Sequence, residues 1–268
     1  MKKSITINKD RCIGCGMCVK DCFVNALMLD ENKHPKYVTN GEQMCAGCQH
    51  CMVVCPKAAL SFGDKNPDKC QPIVQGNDEE LLGVIRSRRS VRNYKQQDVP
   101  AEKLEKICQM LAAAPTGENV QDLHFSIVRT KAKMDEIRDA VYKEMMALES
   151  DNPFIGMVKQ TYSAGIDLAF RGAPSMVVAT VNKQKAVLGC DIVDPIISLS
   201  YLDLYAHTLG LGTLWDDLGM FALESTPEAR KLLQIPEGYD IAFVLLLGIP
   251  ATKYMRVPQH EPVSIAML

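Results

Sequence analysis

No stretch of this 268-residue chain stays apolar for the roughly 20 residues that a membrane-crossing helix needs. Neither sign of charge is in surplus: 30 Lys and Arg stand against 32 Asp and Glu, a net charge of -2. There is thus no field to gather nucleic acid or an anionic membrane surface, and neither is expected as a partner. After the opening Met-Lys-Lys-Ser-Ile-Thr no apolar secretion-signal core follows, so the expected compartment is the cytoplasm. A Gly-x-Gly-x-x-Gly dinucleotide fingerprint is also missing. With 47% hydrophobic and 23% charged residues, the chain can still bury a sizeable core.

What is abundant is cysteine. The chain has 11, and eight of them lie between Cys12 and Cys55. They form two runs, Cys12-x2-Cys15-x2-Cys18-x3-Cys22 and Cys45-x2-Cys48-x2-Cys51-x3-Cys55-Pro56. Every cysteine of the second run lies 33 residues after its counterpart. The same offset relates Ala26-Leu27 to Ala59-Leu60 and Ile5-Thr6 to Val38-Thr39. Such self-similarity predicts two similar halves. Three thiolates two residues apart on a tight loop reach three irons of one cubane, and the fourth ligand comes from the other run. The expected ligands are Cys12, Cys15, Cys18 and Cys55 for one [4Fe–4S] cluster, and Cys45, Cys48, Cys51 and Cys22 for a second. Gly14, Gly16 and Gly47 let the loops fold close to the inorganic core. Zinc also takes Cys-x2-Cys pairs, but the repeated fourth cysteine at x3 favours iron–sulfur. Short helices are expected after Cys18 and Cys51. This region, about residues 1–65, resembles the bacterial two-cluster ferredoxins, with Phe23 departing from the proline that follows the last cysteine of the second run.

Residues 66–77 are rich in proline, glycine and polar side chains and read as a linker, which leaves 78–268 as a second domain. There Cys108 and Cys190, like Cys70 in the linker, fit no ligand spacing and read as linker or small core residues. Periodicity predicts helices over 78–89, 101–113, 131–148, 154–170 and 191–209. Strands are predicted over 124–128, 175–181, 211–215 and 241–247. Strands separated by long helices point to a layered α+β or α/β fold.

Four segments of this second domain carry chemistry. Arg86-Ser-Arg-Arg-Ser-Val-Arg92 sets several guanidiniums beside a hydroxyl, a pattern suited to a phosphate, although a basic helix end is often merely solvated. Ala114-Pro-Thr-Gly-Glu-Asn-Val-Gln121 is a polar loop between a helix and a strand. Leu209-Gly-Leu-Gly-Thr-Leu-Trp215 puts two glycines where backbone can lie against a flat ring. Gly248-Ile-Pro-Ala-Thr-Lys-Tyr-Met-Arg256 adds two cations.

In this order the four segments resemble the nitroreductase family of FMN flavoproteins over roughly 78–268, and the whole chain resembles a ferredoxin–nitroreductase fusion. The resemblance implies an α+β three-layer sandwich that dimerises, with FMN at the subunit interface. It implies that Arg88, Arg89, Ser90 and Arg92 hold the FMN phosphate and ribityl chain. The loop residues Pro115, Thr116, Gly117, Asn119 and Gln121 would reach the flavin across the dimer; Thr116 stands where the family has serine, and Leu123 where a tryptophan is common. Gly210, Leu211, Gly212 and Thr213 would pack near the ring, and Lys253 and Arg256 would complete the phosphate site. The tail, 250–268, would wrap the partner.

The expected activity is an FMN-dependent oxidoreductase. Its clusters would be loaded by external reduced ferredoxin or another low-potential donor, NAD(P)H being a further candidate. It would reduce a small electrophile such as a nitroaromatic or quinone. The alternatives are a relay to a protein partner with no small-molecule substrate, or a related flavin chemistry such as reductive dehalogenation under a cover formed by 142–170. No catalytic side chain is assigned: His124 and Glu118 are candidate proton donors, while Asp216 and Asp217 suit helix caps.

Overall fold

The computed structural model describes residues 4–268. It divides into two compact units. The first comprises the described residues through Gln75 together with Glu118–Val120; the second comprises Gly76–Gly117 and Gln121–Leu268.

In the first unit, β1 (Ile5–Ile7) pairs antiparallel with β4 (Leu60–Phe62), and β2 (Leu27–Leu29) with β3 (Pro35–Tyr37). Three one-turn helices complete it: α1 (Met17–Lys20), α2 (Gly41–Met44) and α3 (His50–Val53). The 33-residue repeat is visible in the backbone. α3 begins and ends 33 residues after α1, and left-handed positions recur in pairs: Gly14 with Gly47, Gly16 with Gln49, and Asn25 with Ala58. These left-handed residues turn the chain sharply around each run of cysteines, a conformation that favours glycine at the tightest points. Met52, Leu60 and Phe62 form the small core. The expected linker is partly structured. Asn66 caps a 3-10 turn at Pro67–Lys69, and Asp68 pairs with Arg11 at 2.8 Å.

The second unit is built on an antiparallel sheet of order β5-β6-β8-β7. The strands are β5 (Leu123–Ile127), β6 (Ser175–Val181), β7 (Gly212–Trp215) and β8 (Asp240–Gly248). Around it lie α4 (Asp78–Ser87), α5 (Ala101–Leu111), α6 (Lys131–Ala147), α7 (Pro153–Ser163), α8 (Cys190–Thr208), α9 (Asp217–Glu224) and α10 (Pro227–Leu232). Strand alternation sorts the core into two layers. Met176, Val178, Val244 and Leu246 pack with α6, α7, α9 and α10; Val177, Ala179, Leu245 and Leu247 pack with α5 and α8. Both central strands are therefore apolar on both faces, and each fully buried Val or Leu contributes about 1.5–3 kcal/mol. The result is the expected α+β three-layer sandwich.

Two sequence expectations are corrected. The helix expected over 154–170 stops at Ser163, because Gly165 turns left-handed at φ 79° and Asp167 then gathers the loop. Its carboxylate accepts from Phe170 N at 2.9 Å, Gly172 N at 2.8 Å, the Tyr142 hydroxyl at 2.6 Å and Arg138 Nε at 2.8 Å. Tyr142 and Phe170 are core residues. α9 and α10 carry no run long enough to stand out by period: the sequence reading marked only a helix start at Asp216 and Asp217, and it missed α10.

Asp216 is the N-cap of α9, its Oδ1 accepting from Gly219 N at 3.0 Å. Its Oδ2 is buried with no hydrogen-bond partner among the described residues. Burial first, and then the nearby Asp217 and Asp167, push this carboxyl up to about 7 against the hydrogen bond from Gly219 N. Between the ordinary carboxylate range near 4 and pH 7 the folded chain thus holds a proton that the unfolded chain has lost. This group's contribution is fully present below pH 4 and is lost as pH rises to 7. Asp216→Asn keeps the capping oxygen and removes the charge. It is expected to be more stable than the parent at pH 8 by roughly 1–3 kcal/mol, the gap closing by pH 4. Thermal unfolding of the two proteins across this range checks it.

Candidate functional site

In the first unit the eight cysteines of the two runs ring two cavities. Cys12, Cys15, Cys18 and Cys55 line one, with Gly14, Gly16, Lys33 and Lys57. Cys22, Cys45, Cys48 and Cys51 line the other, with Tyr37, Gln49 and His50. Each set takes three thiols from one run and one from the other. All eight are free thiols, and among the described residues no three His, Cys, Asp or Glu side chains converge on one mononuclear ion position. Backbone donors already point at sulfur: Ala26 N to Cys22 Sγ at 3.3 Å, Ala59 N to Cys55 Sγ at 3.3 Å, and Gly47 N to Cys45 Sγ at 3.4 Å. The first two of these bonds match although Phe23 stands where the second run has Pro56, so the turn survives the missing proline. Burial pushes the Cys51 thiol up to about 12, with Cys45 and Cys48 adding to the rise. Burial first, and the hydrogen bond to Cys45 next, also raise the Tyr37 hydroxyl, which stays protonated as a donor.

In the second unit a cavity of about 710 Å³ opens where α4, the α8–β7 turn and the segment after β8 meet, a size within the usual range for small-molecule sites. Its wall includes Arg88, Arg89, Gly210, Leu211, Gly212, Thr213, Lys253 and Arg256, all expected from sequence. Lys95, His207 and Tyr254 also line it and were missed: Lys95 and His207 lie outside the four segments, and Tyr254 is an aromatic between the cations Lys253 and Arg256. Among the described residues no carboxylate is in the wall, and Arg88, Arg89, Lys95, Lys253 and Arg256 make it cationic. Gly212 is required by space: a Cβ there would come within 2.5 Å of Val91 Cγ2 and 2.9 Å of Pro250 Cγ. Behind the wall, Asp203 is 6% exposed and is held by the Thr213 hydroxyl, by Trp215 Nε1 at 3.1 Å and by Arg88 Nε at 3.4 Å. His207 Nε2 meets Ser87 Oγ at 2.9 Å.

The structure does not bring every expected residue to this wall. Ser90 bridges to Thr213, and Arg92 donates to the Ser90 carbonyl at 3.2 Å. Thr116 and Gln121 line a separate cavity of about 420 Å³ with Cys108, His124 and Ser198. Thr116 Oγ1 accepts from Gln121 N at 3.0 Å, and Gly117 N donates to Asp194 at 2.9 Å. Pro115 belongs to the same loop. Glu118 and Asn119 fall in the first unit, where Asn119 Nδ2 donates to the Ala46 carbonyl at 3.2 Å. The turn holds Glu118, Asn119 and Gln121 at positive φ. Next to it, Asp122 is buried with neither oxygen hydrogen-bonded among the described residues, and burial, with Asp194 and Asp191 nearby, raises its carboxyl.

Residues 85–249 match the nitroreductase family, and residues 5–62 match the 4Fe-4S dicluster domain. The chain belongs to the nitroreductase family. It is an oxidoreductase that joins a ferredoxin domain to a nitroreductase domain. A protein of Methanothermobacter thermautotrophicus provisionally named an NADH dehydrogenase/NAD(P)H nitroreductase is 28% identical over 64% of this chain and 78% of its own length. A nitroreductase of Desulfitobacterium hafniense solved with bound FMN is 27% identical at a TM-score of 0.57, covering 72% of this chain and all of that one. A nitroreductase of Bacteroides fragilis, also solved with bound FMN, has a TM-score of 0.60 at 22% identity, over 72% of this chain and all of its own, and shares the fold. In the nitroreductase domain the cationic cavity is therefore the prime candidate site. Among the described residues no helix is long and apolar enough to cross a membrane.

Proposed function

We propose that this chain is an iron–sulfur flavoprotein oxidoreductase that takes electrons from an external low-potential donor, such as reduced ferredoxin or NAD(P)H, and reduces a small electrophile such as a nitroaromatic or quinone. The observation that carries the reading is the partition of eight thiols into two sets of four around separate cavities. A cubane takes each thiolate on a different iron, so its ligands stand apart around a volume. Zinc draws four ligands onto one point, and no such point exists among the described residues. Cys12, Cys15, Cys18 and Cys55 hold one [4Fe–4S] cluster in this reading, and Cys22, Cys45, Cys48 and Cys51 the other.

The 710 Å³ cavity fits FMN by the chemistry of its wall. Arg88, Arg89, Lys253 and Arg256 present donors to a phosphate with no opposing carboxylate, and Gly210 and Gly212 leave flat backbone for a ring. Bound clusters supply one-electron steps, which FMN couples into a two-electron reduction. The second unit also exposes apolar surface that a single chain leaves uncovered. Leu81, Leu82 and Ile85 on α4 are 56%, 43% and 46% exposed, Ile192 and Val193 on α8 are 69% and 50% exposed, and the tail beyond Ala251 is exposed throughout. An apolar patch of this kind marks an interface, and a second copy of the chain is the proposed occupant. Pro115, Thr116, Gly117, Asn119 and Gln121 then belong to the loop that reaches the second copy's flavin.

The test is iron and flavin per chain after purification without oxygen. Roughly eight irons and one FMN are expected. Iron without flavin, even after FMN is added, overturns the reductase reading. Electron transfer only to a protein acceptor, with no turnover of nitro compounds or quinones, replaces it with a relay.

A further inference from the structure

The duplicated first unit breaks its symmetry at one sulfur. Tyr37 ends β3, opposite Leu27 in the ladder, so its backbone is fixed. Its ring packs over Gly41, where a Cβ would come within 3.1 Å of Tyr37 Cβ and Cδ1 and 2.4 Å of the Ala26 carbonyl oxygen. Held this way, Tyr37 lines the cavity ringed by Cys22, Cys45, Cys48 and Cys51, and its hydroxyl hydrogen-bonds the Cys45 side chain. Backbone N–H groups also point at sulfur in both halves: Gly47 to Cys45 at 3.4 Å, Ala26 to Cys22 at 3.3 Å and Ala59 to Cys55 at 3.3 Å. Among the described residues, the wall around the second set of cysteines carries the Tyr37 hydroxyl, whereas the wall around the first set carries no hydroxyl side chain. The offset that carries Cys45 back to Cys12 carries Tyr37 back to Ser4, a side chain without the tyrosine's reach.

A donor on a ligand sulfur stabilises negative charge, and a reduced cluster carries one more negative charge than an oxidised one. The bond therefore favours the reduced form and raises the potential of the cluster it touches. We propose that Tyr37 is a tuning residue whose hydroxyl raises the reduction potential of the cluster held by Cys22, Cys45, Cys48 and Cys51 and leaves the other cluster unaffected. The duplication gave two similar scaffolds, and this hydroxyl adds a difference between their electron affinities. The assignment rests on the two-cluster reading above.

The experiment is a redox titration of the full, cluster-loaded chain followed by electron paramagnetic resonance, with iron measured on the same samples. Two changes at position 37 act in opposite directions. Tyr37→Phe removes the donor and is expected to shift one of the two midpoints to lower potential. Incorporation of 3-fluorotyrosine, a stronger donor of nearly the same shape, is expected to shift the same midpoint upward. The hyperfine-shifted β-protons of Cys45 should move with it, while those of Cys12 stay in place. Unchanged midpoints in chains that retain roughly eight irons overturn the assignment and leave the cluster reading intact. Equal shifts of both midpoints, or shifts of one sign for both replacements, also overturn it, because a merely structural role loosens the unit without following donor strength. Should Tyr37→Phe shed iron, the fluorotyrosine arm decides alone. An unmodified chain without iron overturns the cluster reading and this assignment together.

Discussion

Cys48→Ala is expected to take iron from roughly eight per chain towards roughly four while leaving flavin content unchanged. Cys48 lines the cavity that it shares with Cys22, Cys45 and Cys51, and none of the other cavity's thiols lies in that wall. Losing it leaves one corner of a cubane without a protein ligand and spares the other set. Burial pushes the Cys51 thiol up to about 12, so that group strands no buried thiolate in the variant. The unit also keeps its Met52, Leu60 and Phe62 core. The kinetic consequence is larger than the compositional one. A tethered donor acts at an effective concentration in the mM range, so a free ferredoxin supplied at about 0.1 mM replaces it with a loss of about tenfold or more in the rate of flavin reduction. Stopped-flow reduction by ferredoxin, beside iron and flavin analysis, measures both. A chain that loses iron but keeps its reduction rate would show that electrons reach the flavin without the second cluster.

How much of this could be read beforehand differs between the two halves for a physical reason. Cluster ligands sit in one short loop with fixed spacing, so the cysteine runs, their partition and the left-handed turns at Gly14 and Gly47 are written locally. The layered core was legible as well, because β6 and β8 are apolar on both faces and so form unbroken apolar runs. α9 and α10, with eight and six residues, are too short for a period to emerge. The cationic cavity gathers residues from α4, from the α8–β7 turn and from beyond β8, and sequence order says nothing of which side chains of each segment face inward. Arg88 and Arg89 reach the wall, whereas Ser90 starts the bridge to Thr213 and Arg92 folds back on the Ser90 carbonyl. Lys95 and His207 enter the wall only through folding. Tyr37 was unreadable for the same reason: its partner Cys45 is set by the β2–β3 hairpin and the space at Gly41.

Arg88→Ala is expected to weaken FMN binding by about 10–100-fold, the loss of one charged hydrogen-bond partner at about 1.5–3 kcal/mol. Arg88 has two connections that the experiment must separate. Its side chain lines the cavity, and its Nε lies 3.4 Å from Asp203, which is buried behind the wall. Truncating Arg88 thus removes a cation from the phosphate side and also deprives a buried carboxylate of its basic partner among the described residues. Left with the Thr213 hydroxyl and Trp215 Nε1, Asp203 can disturb β7, which carries Gly212 and Thr213 into the wall. The variant Arg88→Ala with Asp203→Asn resolves the two effects, because asparagine keeps an acceptor for Thr213 or Trp215 and carries no charge. If Arg88 acts on the phosphate, the double variant binds FMN as weakly as the single one, and riboflavin, which lacks the phosphate, loses little affinity in either. Recovery of FMN affinity in the double variant would instead place the role of Arg88 in neutralising Asp203. Fluorescence titration of flavin-free protein with FMN and with riboflavin gives both numbers.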